Sequence, residues 1–445
     1  MKPQNKIILM IATLIVRFTY FLSRTFRMGE GSSLPGKITL WLFPNILELL
    51  IPRYKKGWIL ITGTNGKTTT TKILVELIKD AGYQVATNAK GANLLSGIIT
   101  SILLARLKLD QDYAADYAVF EIDEAVLLKT FNLFQPQVLV ITNLSRDQLD
   151  RYGEVDYNVN RIIDLLKNSE KPCRVALNGN DPNVVRIGSV VKPENRFYFG
   201  IKEEPAKDSG LLYERDTAAG GETDWEPPQL DLWADSLQSE YLKGSRFRLG
   251  FREANHFEVA IKLPGVYNVL NSLAALAVGV LIGNDLQRMV SVINNVTPSY
   301  GRSEFFNYRG ASVFLFLAKN PVGYNHVIQL ISRSPGSKRL LFLLNDRVAD
   351  GRDVSWIWDV SFNNIWKSTE IKEVVASGTR AGDMALRLKY SDPPQISLTV
   401  DYSPERAFKR LAARLQPGEE LLVVANYTSM LKFRGFLLNL CRRSA

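Results

Sequence analysis

The chain reads as an α/β protein, with a central domain of mostly parallel sheet around a phosphate-binding loop and a smaller C-terminal α/β domain. Three observations predict this. Residues 56–82, KGWILITGTNGKTTTTKILVELIKDAG, run from a short apolar strand through a glycine loop into an amphipathic helix. Apolar runs that end in polar residues follow at 117–125, 136–154 and 174–184, the pattern of repeated βα units. A further apolar run, RLLFLL at 339–344, starts the pattern again in the last third. The length of 445 residues accommodates two or three domains, and 46% hydrophobic with 22% charged residues is ordinary globular material.

In chain order, the first element is KIILMIATLIVRFTYFLSRTFR (6–27). Its polar members Lys6, Thr13, Arg17, Tyr20, Arg24 and Arg27 fall within an arc of about 80° on a helix, leaving a wide apolar face. No small-residue cleavage site follows, which disfavours a signal peptide, and Arg17 interrupts the run that a spanning helix requires. An interfacial helix on anionic lipid, a helix packed on the protein's own core, and a span remain open. The first 60 residues carry nine basic residues against Glu30 and Glu48, which is seven of the ten net positive charges. A nucleic-acid surface would spread its cations over a folded domain. This distribution instead predicts peripheral membrane contact through residues 1–28, and no nucleic acid.

The loop is shorter than the usual G-x-x-x-x-G-K-[ST], reading G-T-N-G-K-T from Gly63 to Thr68. Its place between strand and helix predicts that backbone N–H groups around Gly63, Thr64, Asn65, Gly66 and Lys67 cradle phosphate oxygens. Lys67 would neutralise the β- and γ-phosphates, and the Thr68 hydroxyl would ligate Mg²⁺. The strand at 117–121 ends in Glu121, followed by Asp123 and Glu124. Such carboxylates suit a cation beside the loop, or form a solvated acidic turn. RVALNGNDPNV (174–184) ends in an Asn/Asp-rich turn, and LPGVYNVLNSLAALAVGVLIG (263–283) is a helix with Asn268 and Asn271 in its first turns. Those asparagines either read an adenine or cap the helix.

Four landmarks in order, G-T-N-G-K-T, the strand ending in Glu121, TNLSRDQLDRYGE and GVYNVLN, resemble the Mur ligase family, ATP-dependent enzymes that activate a carboxylate as an acyl phosphate. In the third, Gln148 and Tyr152 stand where the family has histidines, which departs from an amino-acid-adding ligase. LAKNPVGYN (317–325), LNDRVADGRDVSWIWD (344–359), SGTRAGDMALRLKY (377–390) and ANYTSM (425–430) are similar to the MurT branch, the synthetase subunits of lipid II isoglutaminyl synthases.

The resemblance implies a basic helical segment at 1–54, a central ATP-binding domain at 55–297 with an insertion at about 203–255, and a Rossmann-like C-terminal domain at 298–445. It implies amidation of the α-carboxyl of D-glutamate in the lipid II stem peptide, on the cytoplasmic face of the membrane, with ATP and Mg²⁺. By the same resemblance, Thr68 and Glu121 hold Mg²⁺, and Gly63 to Thr69 hold the nucleotide. Asn271 contacts adenine, Asn178 and Asp181 line the ribose side, and Arg302 reaches the phosphates from across the cleft. Asp353 would complete the Cys–His dyad of a GatD-type glutaminase partner; as a plain loop residue it would be a turn former. Many relatives carry a four-cysteine zinc ribbon in the insertion. This insertion has no cysteine, so no zinc is predicted. The competing readings are a conventional Mur or folylpolyglutamate-type ligase that adds an amino acid, and a nucleotide-binding protein without turnover. Cys173 and Cys441, far apart and outside any nucleophile motif, predict a reducing compartment and an ammonia source on another chain.

Overall fold

The computed structural model describes residues 2–25, 33–88, 92–105, 114–145, 154–169, 171–202, 226–252, 255–297, 302–347, 349–367, 370–416 and 418–442. Among the described residues, three α-helices, α1 (Pro3–Thr25), α2 (Leu34–Leu42) and α3 (Ile46–Leu50), and a short 3-10 turn at Ile51–Arg53 precede β1 (Tyr54–Thr62). The chain continues through α4 (Lys67–Asp80), β2 (Val85–Thr87), α5 (Leu95–Leu104), β3 (Ala115–Glu121), α6 (Glu124–Phe134), β4 (Val138–Ile141), α7 (Glu154–Lys167), β5 (Arg174–Asn178), α8 (Pro182–Gly188) and β6 (Arg196–Ile201). Then come β7 (Leu232–Ser239), β8 (Ser245–Phe251), β9 (Asn255–Ile261), α9 (Val266–Leu281) and α10 (Leu286–Ile293).

These strands form one sheet in the order β2-β3-β1-β4-β5-β6-β7-β8-β9. It is parallel from β2 to β7 and antiparallel across β7, β8 and β9. Strands β1, β3 and β4, from the apolar runs expected within 56–82, 117–125 and 136–154, lie side by side, with Ile59 paired to Val119 on one flank and Val138 on the other. Ile59, Leu60 and Ile61 are all fully buried, as a parallel strand covered on both faces requires. Ile59 and Ile61 pack with Leu74 of α4 and Leu273 of α9. Leu60 faces the other layer, with Ile98 of α5 and Phe131 of α6.

A second sheet holds β10 (Arg302–Tyr308), β11 (Ala311–Leu317), β12 (Lys338–Leu343), β13 (Ile371–Ser377), β14 (Ser397–Asp401) and β15 (Glu420–Ala425). Its order is β10-β11-β15-β12-β13-β14, antiparallel only at β10–β11. Helices α11 (Pro321–Arg333), α12 (Ala381–Lys389), α13 (Pro404–Ala412) and α14 (Tyr427–Arg442) accompany it. Its two apolar layers are separate, one around Tyr324, Phe342 and Trp356 and the other around Phe408, Val423 and Phe433.

The first helix divides its faces. Leu9, Ala12 and Val16 are fully buried in the layer that contains α5, while Leu14, Phe18 and Phe21 on the opposite side are each more than half exposed. Own-core packing and an unpartnered apolar face therefore coexist on one helix, which periodicity alone presented as alternatives. Gln148 and Tyr152 lie outside the described residues, as does 203–225 of the insertion. Residues 232–261 build the antiparallel β7–β9 end of the first sheet.

Candidate active site

From β1 the chain runs outward to β2 and β3 on one flank and returns to β4 on the other. The carboxyl ends of β1, β3, β4 and β5 thus converge at a switch point, where open α/β sheets bind ligands. A cleft of about 610 Å³ opens there, lined by Thr64–Thr69, Glu121, Asn178, Asp181 and Asn271 from the first sheet's side. Phe316–Asn320 and His326 close it from the second.

Two glycines in the loop are obligatory. Gly63 has φ +127°, and a Cβ there would meet Thr142 Oγ1 at 2.2 Å. Gly66 has φ +87°, and its Cβ would meet Asn271 Oδ1 at 2.1 Å. The segment after β4 clamps the loop between them. Thr64 N–H donates to Asn143 O at 2.9 Å, and Asn65 N–H donates to Asn143 Oδ1 at 2.9 Å. Thr142 Oγ1 donates to Asn65 O at 2.7 Å, and Thr64 Oγ1 donates to Ser145 O at 2.9 Å. The amides of Thr64 and Asn65 are therefore already engaged. The amides left open to an anion are those from Gly66 onward, the N-cap and first turn of α4, whose N–H groups have no intrahelical acceptors.

A loop position suggests an exposed lysine, but the Lys67 side chain is only 11% exposed. Its Nζ donates to the carbonyl oxygens of Gly63 and Thr64 and pairs with Glu124 Oε1 at 3.5 Å. Glu121, at the end of β3, is 1% exposed. Asn88 holds its backbone from both sides, accepting from Glu121 N–H at 3.0 Å and donating to Glu121 O at 2.7 Å. Its side-chain Oε2 has no hydrogen-bond partner among the described residues. A buried carboxylate oxygen without a partner, on the same cleft as the half-buried Thr68 hydroxyl, fits a hard divalent cation with oxygen ligands. No group of three or more His, Cys, Asp or Glu suited to a metal occurs among the described residues.

Other expected residues divide into rim and distant positions. Asn178 lines the cleft, yet its Nδ2 donates to Thr142 O at 2.8 Å and its Oδ1 accepts from Asn180 N–H at 3.0 Å. Asp181 caps α8, accepting from Asn183 N–H and Val184 N–H on Oδ1, and accepts from Leu144 N–H on Oδ2. Both therefore tie the rim together. Asn271 lies against Gly66, with Nδ2 donating to Asn268 Oδ1 at 3.2 Å. Arg302 opens β10, and its side chain lies outside the described residues.

Asp353 is exposed and does not line the cleft, although Ala349 of the same loop does. Its Oδ1 accepts from Ser355 N–H at 2.8 Å, an Asx turn. That bond, with Arg380 nearby, holds its carboxyl below the usual range. Sequence reasoning missed Asn320 and His326. Asn320 caps α11 through Gly323 N–H, and its Nδ2 donates to Asn65 Oδ1 at 3.3 Å across the cleft. The Asn-Pro pair at 320–321 was the available signal, an N-cap followed by proline at the first helical position. Burial pushes the Cys173 thiol up to about 12, and desolvation also raises Cys441, so neither resembles an activated nucleophile.

Residues 61–279 match the Mur ligase middle domain family, and residues 317–430 match the MurT ligase C-terminal family. The chain is 34% identical over 431 residues to the MurT subunit of the glutamine-hydrolysing lipid II isoglutaminyl synthase of Streptococcus pneumoniae, covering 92% of this chain and 93% of that one. It is 29% identical to the same subunit of Staphylococcus aureus, covering 90% and 91%. Among solved structures, the MurF ligase of Thermotoga maritima in complex with ADP superposes with a TM-score of 0.65 at 17% identity, covering 92% of this chain and 85% of that one. The MurF of Acinetobacter baumannii gives 0.66 at 17%, covering 89% and 80%. These structural likenesses establish the α/β fold with mostly parallel sheets.

Proposed function

The chain belongs to the MurT branch of the Mur ligases, ATP-dependent ligases, and from that premise we propose that it amidates the α-carboxyl of D-glutamate in the lipid II stem peptide to D-isoglutamine. A carboxylate is a poor acyl donor because oxide would have to leave. A carboxylate oxygen attacks the γ-phosphorus of ATP, the bond to the bridging oxygen breaks, and ADP departs with that electron pair. Ammonia then attacks the acyl carbon, the carbon–oxygen bond breaks toward phosphate, and the nitrogen sheds a proton.

This chain's residues perform positioning and charge neutralisation. The first turn of α4 holds phosphate oxygens, and Lys67 leaves Glu124 and the loop carbonyls to meet the transferred phosphoryl group. Glu121 and Thr68 would hold Mg²⁺, which would supply neutralisation of phosphate charge. Asn320 and His326 close the cleft from the second sheet and exclude water. The observation that carries the reading is the cleft itself: an intact phosphate loop beside a buried carboxylate oxygen that has no hydrogen-bond partner among the described residues.

Ammonia comes from a partner subunit, since neither thiol of this chain is suited to hydrolyse glutamine. A GatD-type glutaminase fits, with exposed Asp353 completing its Cys–His pair. A carboxylate bonded to one imidazole nitrogen fixes the tautomer and stabilises the imidazolium. ATP use and two unpaired thiols suit the cytoplasm. The test supplies this chain with ATP, Mg²⁺, an ammonium salt and a lipid-linked stem peptide, and sequences the product by mass spectrometry. Conversion confined to the D-glutamate α-carboxyl is expected; an unmodified peptide with ATP consumed, or addition of an amino acid, would overturn it.

A further inference from the structure

The apolar face left open on α1 has features that identify what covers it. Leu14, Phe18 and Phe21 are 59%, 63% and 65% exposed, and Ile7, Met10 and Ile11 beside them are exposed too. The opposite face, Leu9, Ala12, Val16 and Ser23, is buried against the core, so the helix lies along the protein surface. The neighbouring α2 adds Leu34, Leu42 and Trp41, the last 80% exposed. Lys2, Lys6, Arg17 and Lys37 are exposed around these side chains, and neither helix contains an acidic residue.

We propose that α1 and α2 form one docking surface for an anionic lipid bilayer, lying in the headgroup layer without crossing it. A span would have to strip Leu9, Ala12 and Val16 from the core. The segment from Leu34 to Arg53 bends by 100°, and Thr39, Ile46, Leu47 and Leu50 within it are buried in the protein, so it too would have to leave the core to span. A second copy of this chain is a poor occupant, because two-fold pairing would set the same cations against one another with no carboxylate on either helix to offset them. Anionic headgroups supply that charge, acyl chains receive the phenylalanines, and an exposed tryptophan suits the interface. Ser33, immediately before α2, lines the cleft, so the lipid-facing helices border its mouth. On the amidation reading, a lipid-linked substrate is thereby presented from the plane on which the protein rests.

The test is co-sedimentation of the full chain with vesicles of phosphatidylcholine alone or mixed with phosphatidylglycerol. No substrate is present, so failure of the amidation reading leaves the result untouched. Binding to the mixed vesicles is expected, weakened by salt. Lys6→Gln with Arg17→Gln should lose roughly 30-fold in partitioning, and Phe18→Ser with Phe21→Ser more than about tenfold. Both should bind nucleotide as the parent does. Absence of vesicle binding by the parent, or equal binding by both double variants, would overturn the proposal. So would a dimer of the parent that Phe18→Ser with Phe21→Ser dissociates while vesicles are ignored.

Discussion

Replacing Gly66 by alanine should damage nucleotide binding, and changing Asn271 at the same time should add little further loss. At φ +87° a side chain costs about 1–2 kcal/mol of backbone strain. The new Cβ would also stand 2.1 Å from Asn271 Oδ1, where real contacts are not closer than 3.0 Å, so the amide must retreat by 0.9 Å, the difference. That movement breaks its 3.2 Å bond to Asn268, worth about 1 kcal/mol. The total, about 2–3 kcal/mol, corresponds to a 30- to 150-fold weaker loop conformation at about 1.4 kcal/mol per decade. Titration calorimetry with a non-hydrolysable ATP analogue reads the affinity, and thermal unfolding reads any share expressed as stability. In Gly66→Ala with Asn271→Ala the clash disappears while the strain remains, so the two changes should show a favourable coupling of about 1 kcal/mol. Parent-like binding by Gly66→Ala would refute the left-handed loop. Strict additivity would refute Asn271 as the obstacle.

Lys67→Ala should reduce phosphate release by more than about a hundredfold while costing about 1 kcal/mol of stability, because Glu124 loses its buried partner; circular dichroism melts and a coupled phosphate assay check both. Glu121→Gln should raise the Mg²⁺ concentration needed for half-maximal turnover without lowering the melting temperature of the metal-free protein, since the oxygen it alters has no partner among the described residues. In complex with the glutaminase, Asp353→Asn should abolish most glutamine-dependent amidation and leave ammonia-dependent amidation at the parental rate. Because Asp353 is held below the usual carboxylate range, it stays ionised as pH falls toward that range. The acid limb of glutaminase activity should therefore follow the partner's groups, which a pH–rate profile of the complex will show.

The central sheet was legible because a parallel strand covered on both faces is a continuous apolar run, as at Ile59–Ile61 and Val138–Ile141. The loop was legible because Gly63 and Gly66 are required by the local backbone, between an apolar strand and the start of a helix. The roles of Asn178 and Asp181 were less so, because an Asn or Asp at a strand end can face a ligand or satisfy backbone amides, and tertiary structure decides which. Here the segment at Thr142–Leu144 claims both. Asn143, which fastens the loop, lies far from it in sequence, and no local pattern announces such a pairing. The split character of α1 was hidden for a related reason: its apolar arc is wide enough for two faces, and only the packing of α5 shows which is taken.

The central claim is that ATP activates the carboxylate as an acyl phosphate before nitrogen arrives. Stem peptide labelled with ¹⁸O in the D-glutamate α-carboxyl tests it directly. The oxygen that attacks phosphorus stays with phosphate when ammonia displaces it, so each turnover should carry one labelled oxygen into inorganic phosphate, read by ³¹P NMR. Label found in AMP, or amide formed with unlabelled phosphate, would contradict the account.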